Sequence, residues 1–357
     1  MLQPVFAAFG LNEKTDKAIP FGSGLINNTW KVSNADRTYI LQRVNHHVFK
    51  NPLAIAHNIN AIAQYLQRNY PAYLFISPVN SVAGDAVFFD ERIGYFRLMP
   101  FVENSHTIDV VEEPKLAFEA AKQFGKFTKL LSGFDPESLQ ITLPEFHNLS
   151  LRYYQFEEAL RKGNSERIKQ SDKLISAIIA NKNIVETFEA IKLSKDFKIR
   201  VTHHDTKISN VLFDETDNGL CVIDLDTIMP GYFISDAGDM LRTYLSPVSE
   251  EESDFTKIEI RNEYFEAIAK GYIGELKDEL SDMEIQHFVY AGKFMIYMQA
   301  IRFLTDHLNN DTYYGAKYEG HNFVRAGNQV TLLQKLINKE HVLRHYVTNY
   351  QSAQSVA

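Results

Sequence analysis

Cysteine occurs once in 357 residues, as Cys221, so no internal disulfide can form and metal sites built on several thiolates are excluded. No apolar run approaches the roughly 20 residues that cross a bilayer as a helix. The first ten residues lack a basic segment ahead of an apolar stretch, so no secretory signal is expected. Positive charge is short as well: 37 Lys and Arg against 45 Asp and Glu leave −8, which argues against a nucleic-acid partner. No membrane partner and a cytoplasmic location follow as expectations. Repeats and low-complexity tracts are missing too. What remains is an ordinary globular composition, 45% apolar and 23% charged, on a chain long enough for two lobes.

Against that background stands His203-His204-Asp205-Thr206-Lys207-Ile208-Ser209-Asn210, with Asp224 fourteen residues further on. Phe197–Val201 alternates like a strand entering this loop, and Val211-Leu212-Phe213 leaves it as another. Residues 214–219 read as a turn, and 220–223 return to deliver Asp224 at a strand end. A hairpin of this kind brings Asn210 and Asp224 together. Phosphoryl transfer asks for an oriented hydroxyl, neutralised phosphate charge and excluded water. Asp205 suits the base that takes the hydroxyl proton, and Lys207 a cation for the transferring group. Asn210 and Asp224 are hard oxygen donors of the kind Mg²⁺ accepts. Singly, Asp205 and Asn210 also suit plain turns; their order and strand context favour a kinase site using ATP and Mg²⁺.

The rest of the chain divides in two. Residues 1–100 read as a small strand-rich, nucleotide-binding lobe: a glycine turn over Phe21–Trp30, a hairpin through 31–44, a helix opening at Pro52, and strands near 87–89 and 95–99. A hinge is placed at about 97–104. Residues 101–357 read as a larger helical lobe that carries the hairpin and binds the acceptor. One helix face is marked by Ala117, Ala120, Phe124, Phe127 and Leu131, and further helices are expected near 151–162, 167–191, 254–273, 283–305 and 321–345.

The segment Thr202–Arg242 resembles the aminoglycoside phosphotransferase and choline kinase superfamily through His203, Asp205, Asn210, Asp224, Asp226 and Asp236. Similarity to its N-acetylhexosamine 1-kinase group spreads over most of the chain. It includes Phe21-Gly22-Ser23-Gly24 with Asn27 and Thr29, Tyr39–Arg43, Arg97–Phe101, Phe146-His147-Asn148 and Arg302–Leu308. The resemblance implies an α+β, protein-kinase-like bilobal fold, with a small β-rich N-lobe and a larger helical C-lobe. It implies a small-molecule kinase acting on the anomeric hydroxyl of an N-acetylhexosamine. Gly22, Ser23, Gly24, Asn27 and Thr29 would cover the nucleotide phosphates. Leu41 and Phe101 would sandwich the adenine, and backbone groups of Met99 and Phe101 would hydrogen-bond it. His203 would be structural, and Asp236 would either brace the loop or act as a first-turn helix acid. His147, Arg152, Asp226, Arg302 and Tyr314 are the expected acceptor contacts.

Three departures stand out. The strand that carries a phosphate-contacting lysine in such kinases reads Gln42-Arg43 here, so one of these two would replace it. No Asp or Glu occurs between Asp36 and Asp85, so the following helix cannot supply the customary acidic partner. His204 and Asn310 stand where relatives tend to have glycine. Rival readings are an aminoglycoside, choline or other amino-alcohol acceptor, and a nucleotide-binding regulator without catalysis.

Overall fold

In Thr38–Val44, Tyr39 and Leu41 point to one side and Ile40 and Gln42 to the other, and this alternation makes the segment the centre of an antiparallel sheet. The computed structural model describes residues 2–354 except Ser23, Leu25 and 34–36. In chain order the first elements are α1 (Gln3–Ala8), β1 (Lys17–Pro20), β2 (Asn28–Ser33), β3 (Thr38–Val44), α2 (Pro52–Asn69), β4 (Phe88–Asp90) and β5 (Gly94–Pro100). The strands form one sheet, ordered β1-β2-β3-β5-β4. On one face Val32, Leu41, Phe96 and Leu98 close a small core with Val5, Phe6 and Phe9. The short helix α1 that supplies two of these was not legible, because six residues show too little periodicity.

The helix α2 starts where Asn51 accepts the Ala54 N–H and Pro52 opens the first turn. Its buried stripe Ile55, Ile59, Ile62 and Leu66 joins the core of the large lobe, not that of the sheet. Each such side chain contributes about 1.5–3 kcal/mol when fully buried. Asn58, fully buried on the same face, donates to Gln140 O (2.8 Å) and Ile228 O (2.9 Å).

The sheet continues through Pro100, and the next strand, β6 (Ser105–His106), pairs with the large lobe. The passage between lobes is therefore residues 101–104, with Asn104 in the left-handed region at φ 55°. Beyond it come α3 (Pro114–Leu130), α4 (Leu149–Lys162), α5 (Ser165–Gln170), α6 (Asp172–Ala180) and α7 (Asn183–Leu193). The strands β7 (Arg200–Thr202), β8 (Val211–Asp214), β9 (Gly219–Val222) and β10 (Met229–Gly231) follow. The chain ends with α8 (Phe233–Tyr244), α9 (Asn262–Leu276), α10 (Asp282–Gln286), α11 (Phe288–Leu308) and α12 (His321–Gln354). The single helix expected over 167–191 is three, since Ser171 ends one and begins the next and the chain turns again at Asn181. The helix expected from 254 begins only at Asn262, because Asp254 caps a separate short turn. The result is the protein-kinase-like bilobal arrangement, a small β-rich lobe over a larger helical one.

Candidate active site

The hairpin β8–β9 pairs Val211 with Val222, which places Asn210 beside Ile223 and hence next to Asp224. Ile223 N donates to Asn210 O at 2.8 Å. On the other side β7 pairs with β10, Thr202 opposite Met229, so both strands feeding the loop are held. The loop itself is clamped from α8. Asp236, fully buried, accepts the N–H groups of His203 (3.0 Å) and His204 (2.8 Å), and Asp239 accepts that of Thr206 (2.9 Å). Burial nevertheless pushes the Asp236 carboxyl up to about 6.

His203 links the two halves of the site. Its Nδ1 accepts the Asp205 N–H at 3.3 Å and its Nε2 lies 2.8 Å from Ile223 O, which makes Nε2 the protonated nitrogen. His204 has φ 66°, a left-handed backbone that favours glycine. Its ring is buried between Thr202 and His147, and burial lowers it to about 4, so it is neutral. A side chain on Gly231 would collide with this ring, 2.6 Å from Nε2. Asn310 is left-handed too, at φ 61°.

Asp205 and Lys207 form an ion pair at 3.1 Å, both partly open to the cleft. Burial pulls the ammonium down, but the carboxylates of Asp205 and Asp224 outweigh it and the net shift is upward. Asn210 gives its Nδ2 to Asp205 O (2.8 Å), which leaves Oδ1 without a donor among the described residues. Asp224 sits at φ 57°. Burial of the carboxyl in the cleft, then the carboxylates of Asp226 and Asp205, raise it above the usual carboxylate range, although the residue as a whole is exposed. The Asp224 carboxylate beside the free Asn210 amide oxygen suits a divalent cation. Among the described residues no cluster of three or more His, Cys, Asp or Glu is arranged as a self-sufficient metal cage, so such an ion would also need ligands from phosphate or water.

The roof of the cleft corrects several expectations. Thr29, Gln42 and Arg97 lie side by side across β2, β3 and β5 on the face turned to Asp226. Gln42 donates to Thr29 Oγ1 (3.3 Å) and accepts Arg97 Nε (3.0 Å), and Arg97 then meets the carboxylate of Asp226. Asn27 donates to the same carboxylate at 2.8 Å. Asp226 is thereby buried and engaged by the small lobe, and is no acceptor contact. Arg43, one residue out of phase, lies on the outer face beside Gly94 and His46, so it does not replace the strand lysine. Leu41 shares that face and is fully buried in the small core, out of reach of an adenine ring. Arg97 and Lys31 are cations on the cleft face, and sequence reasoning missed Arg97. Period-2 alternation from a partner of Gln42 was the signal that could have found it.

Gly22, at φ 80°, and Gly24 have open space where a side chain would stand; Ser23 lies outside the described residues. The N–H of Phe101 donates to Thr38 O (3.2 Å) and Met99 is paired with Ile40, so the Phe101 donor is not free for adenine. Its ring carries Lys31 Nζ at 3.9 Å and meets Phe21 edge-on. Ile40 and Met99 put apolar side chains on the cleft face.

In the large lobe Arg152, Arg302 and Tyr314 come together around a cavity of about 380 Å³. His147 does not line it; it faces a second cavity of about 270 Å³ with His204 and Gly231. Burial keeps the His147 imidazole neutral, with His204 and Arg302 adding to the effect.

Residues 17–276, most of the chain and all of the clamped loop, match the family described as the phosphotransferase enzyme family. The chain belongs to it. As a member it is a phosphotransferase acting on hydroxyl acceptors. Solved structures share the fold at low identity. An amicoumacin kinase solved with AMP-PNP and Ca²⁺ aligns at TM-score 0.62 and 14% identity, covering 94% of this chain and 92% of its own. A microcompartment-associated aminopropanol kinase aligns at 0.62 and 13%, covering 96% and 97%. A choline kinase from Cryptosporidium parvum aligns at 0.54 and 13%, covering 98% of each chain. Among the described residues no helix of this phosphotransferase is long and apolar enough to cross a membrane.

Proposed function

We propose that the chain transfers the γ-phosphoryl group of ATP to the anomeric hydroxyl of an N-acetylhexosamine, giving a sugar 1-phosphate and ADP. The observation that carries the chemistry is the pairing of Asp205 with Lys207 beside Asn210 and Asp224, all held by backbone hydrogen bonds. Asp205 orients the acceptor hydroxyl and takes its proton as the new P–O bond forms; Lys207 offsets charge on the transferring group. Asn210 and Asp224 would hold Mg²⁺, which when bound neutralises phosphate charge. The clamp from Asp236 keeps the base in place without a rearrangement of the loop. Thr29 and Gln42, the latter held by Arg97, bring polar groups to the roof above the phosphates, and Gly22 and Gly24 leave room for them.

For the acceptor, the supporting observation is the wall of Arg302 and Tyr314, whose guanidinium and ring stand 5.4 Å apart. A hydrogen-bonding cation beside a planar ring suits sugar hydroxyls and an amide better than an ammonium group. A second reading, an amino-alcohol or aminoglycoside acceptor, is favoured by the acceptors named for the similar solved structures.

The test is ADP release with Mg-ATP over N-acetylglucosamine, N-acetylgalactosamine, glucose, choline, homoserine and kanamycin, with Asp205→Ala alongside. Turnover of an N-acetylhexosamine, lost in the variant, is expected. Turnover confined to choline or kanamycin would transfer the reading to amino alcohols.

A further inference from the structure

The cavity between α4 and α11 carries more positive charge than a neutral sugar requires. Arg152 donates to Glu145 O (2.8 Å) and Gln155 Oε1 (3.0 Å), and its buried Nε has no partner among the described residues. Arg302 reaches Gln299 Oε1 at 3.3 Å and Tyr313 OH at 3.5 Å. Among the described residues neither guanidinium meets a carboxylate.

The acids of the same walls are already engaged. Glu158 is paired with both Arg161 and Lys162. Asp306 accepts the N–H groups of Tyr313 (2.7 Å) and Tyr314 (2.9 Å) and the amide of Asn322 (3.1 Å). The carboxylate of Glu145, whose backbone oxygen accepts from Arg152, bonds Asn148 instead. Two unpaired guanidiniums therefore face one space. Burial and then the charge of Arg302 hold Arg152 below its ordinary value, the mark of a cation pair that an anion would relieve. A bidentate fork suits carboxylate and other oxyanions.

We infer that the acceptor carries an oxyanion, a carboxylate or a phosphate or sulfate ester, and that Arg152 and Arg302 bind it in this cavity beside Tyr313 and Tyr314. This rests on the sugar-kinase reading and adds a charge to its substrate. The position fits a group remote from the reacting hydroxyl. Arg302 lies 5.9 Å from the ring of Phe146, on which His147 stacks; His147 is 5.2 Å from His204, the neighbour of Asp205.

The experiment compares kcat/KM with Mg-ATP for N-acetylglucosamine and N-acetylgalactosamine, their 6-phosphates and 6-sulfates, and glucuronic and galacturonic acids. Arg152→Gln and Arg302→Gln are run beside the parent protein. An acidic acceptor is expected to exceed its neutral counterpart at least tenfold, and Arg152→Gln to shrink that ratio at least fivefold. The arms tell the three oxyanions apart. Neutral N-acetylhexosamines used as well as their acidic forms would overturn the subsite and leave the sugar-kinase reading standing. Acidic sugars preferred without regard to the acetamido group would do the reverse. If no acceptor turns over, thermal shift decides. Stabilisation by an acidic sugar, lost in Arg152→Gln but not given by the neutral sugar, supports the subsite; no such stabilisation overturns it.

Discussion

The guanidinium of Arg97 on β5 grips the buried carboxylate of Asp226 across 129 residues of sequence, two residues beyond Asp224. Both partners are almost completely removed from water, and Asn27 of the glycine turn holds the same carboxylate. The carboxylate of Asp226 thus ties the small sheet and the glycine turn to the segment that bears Asp224. Kinases of this fold commonly use a strand lysine and a helix acid for such a tie. Here α2 has no acid and contributes Asn58 to Ile228 O instead.

Removing one partner of a buried ion pair strands the other charge, at about 3–5 kcal/mol. Arg97→Met is therefore expected to lower stability by that order and to depress kcat/KM for ATP. Arg97→Met combined with Asp226→Leu should recover most of the stability but not the activity. Arg43→Ala, on the outer face, should change kcat/KM for ATP less than threefold. Thermal unfolding and initial rates measure these, and an Arg43 effect larger than that of Arg97 would reverse the assignment.

Asp205→Ala removes the proposed base from a loop that is held by other groups. A fall of roughly 10²–10⁴ in kcat is expected, with ATP affinity by calorimetry within a few-fold of the parent. Retained turnover would exclude Asp205 as the base.

Asp224→Ala takes away one of the two proposed metal donors while its backbone neighbour Ile223 keeps its bond to Asn210 O. The variant should fold, and should need far more Mg²⁺ for half-maximal rate or lose turnover altogether. A Mg²⁺ titration identical to that of the parent would remove Asp224 from the site.

His204 gives a pH dependence of defined sign. Its folded value, about 4, lies below the unfolded 6.5. The unfolded chain therefore binds the proton first, and stability falls as pH drops from about 6.5 towards 4. The margin of the parent over His204→Asn should shrink across that window by roughly 3 kcal/mol. Asp236, shifted up to about 6, acts in the opposite sense but is present in both proteins and cancels. Thermal melts of the two at pH 7.0 and 4.5 test this; a constant margin would mean that His204 takes up its proton as readily in the folded protein as in the unfolded chain.

The loop that carries the proposed site was legible because phosphoryl transfer fixes both residue types and spacing. Asp205, Lys207, Asn210 and Asp224 lie within 20 residues of one another, so a hairpin and a few backbone bonds suffice to assemble them. The bilobal fold was legible because the change from period 2 to period 3.6 survives in local sequence. The faces of the small sheet were not. Which of Gln42 and Arg43 looks into the cleft depends on which side α1 covers, and α1 is six residues with no readable pattern.

Sequence alone, then, determined that this is a phosphotransferase, since the proposed reacting groups, drawn from one short segment, carry their geometry with them. Tertiary structure alone decided the partners: Arg97 with Asp226, Asn58 with Ile228, Arg152 with Arg302. Each is a meeting of elements far apart in the chain, and only the packing of the two cores settles which charges are left without a counterion.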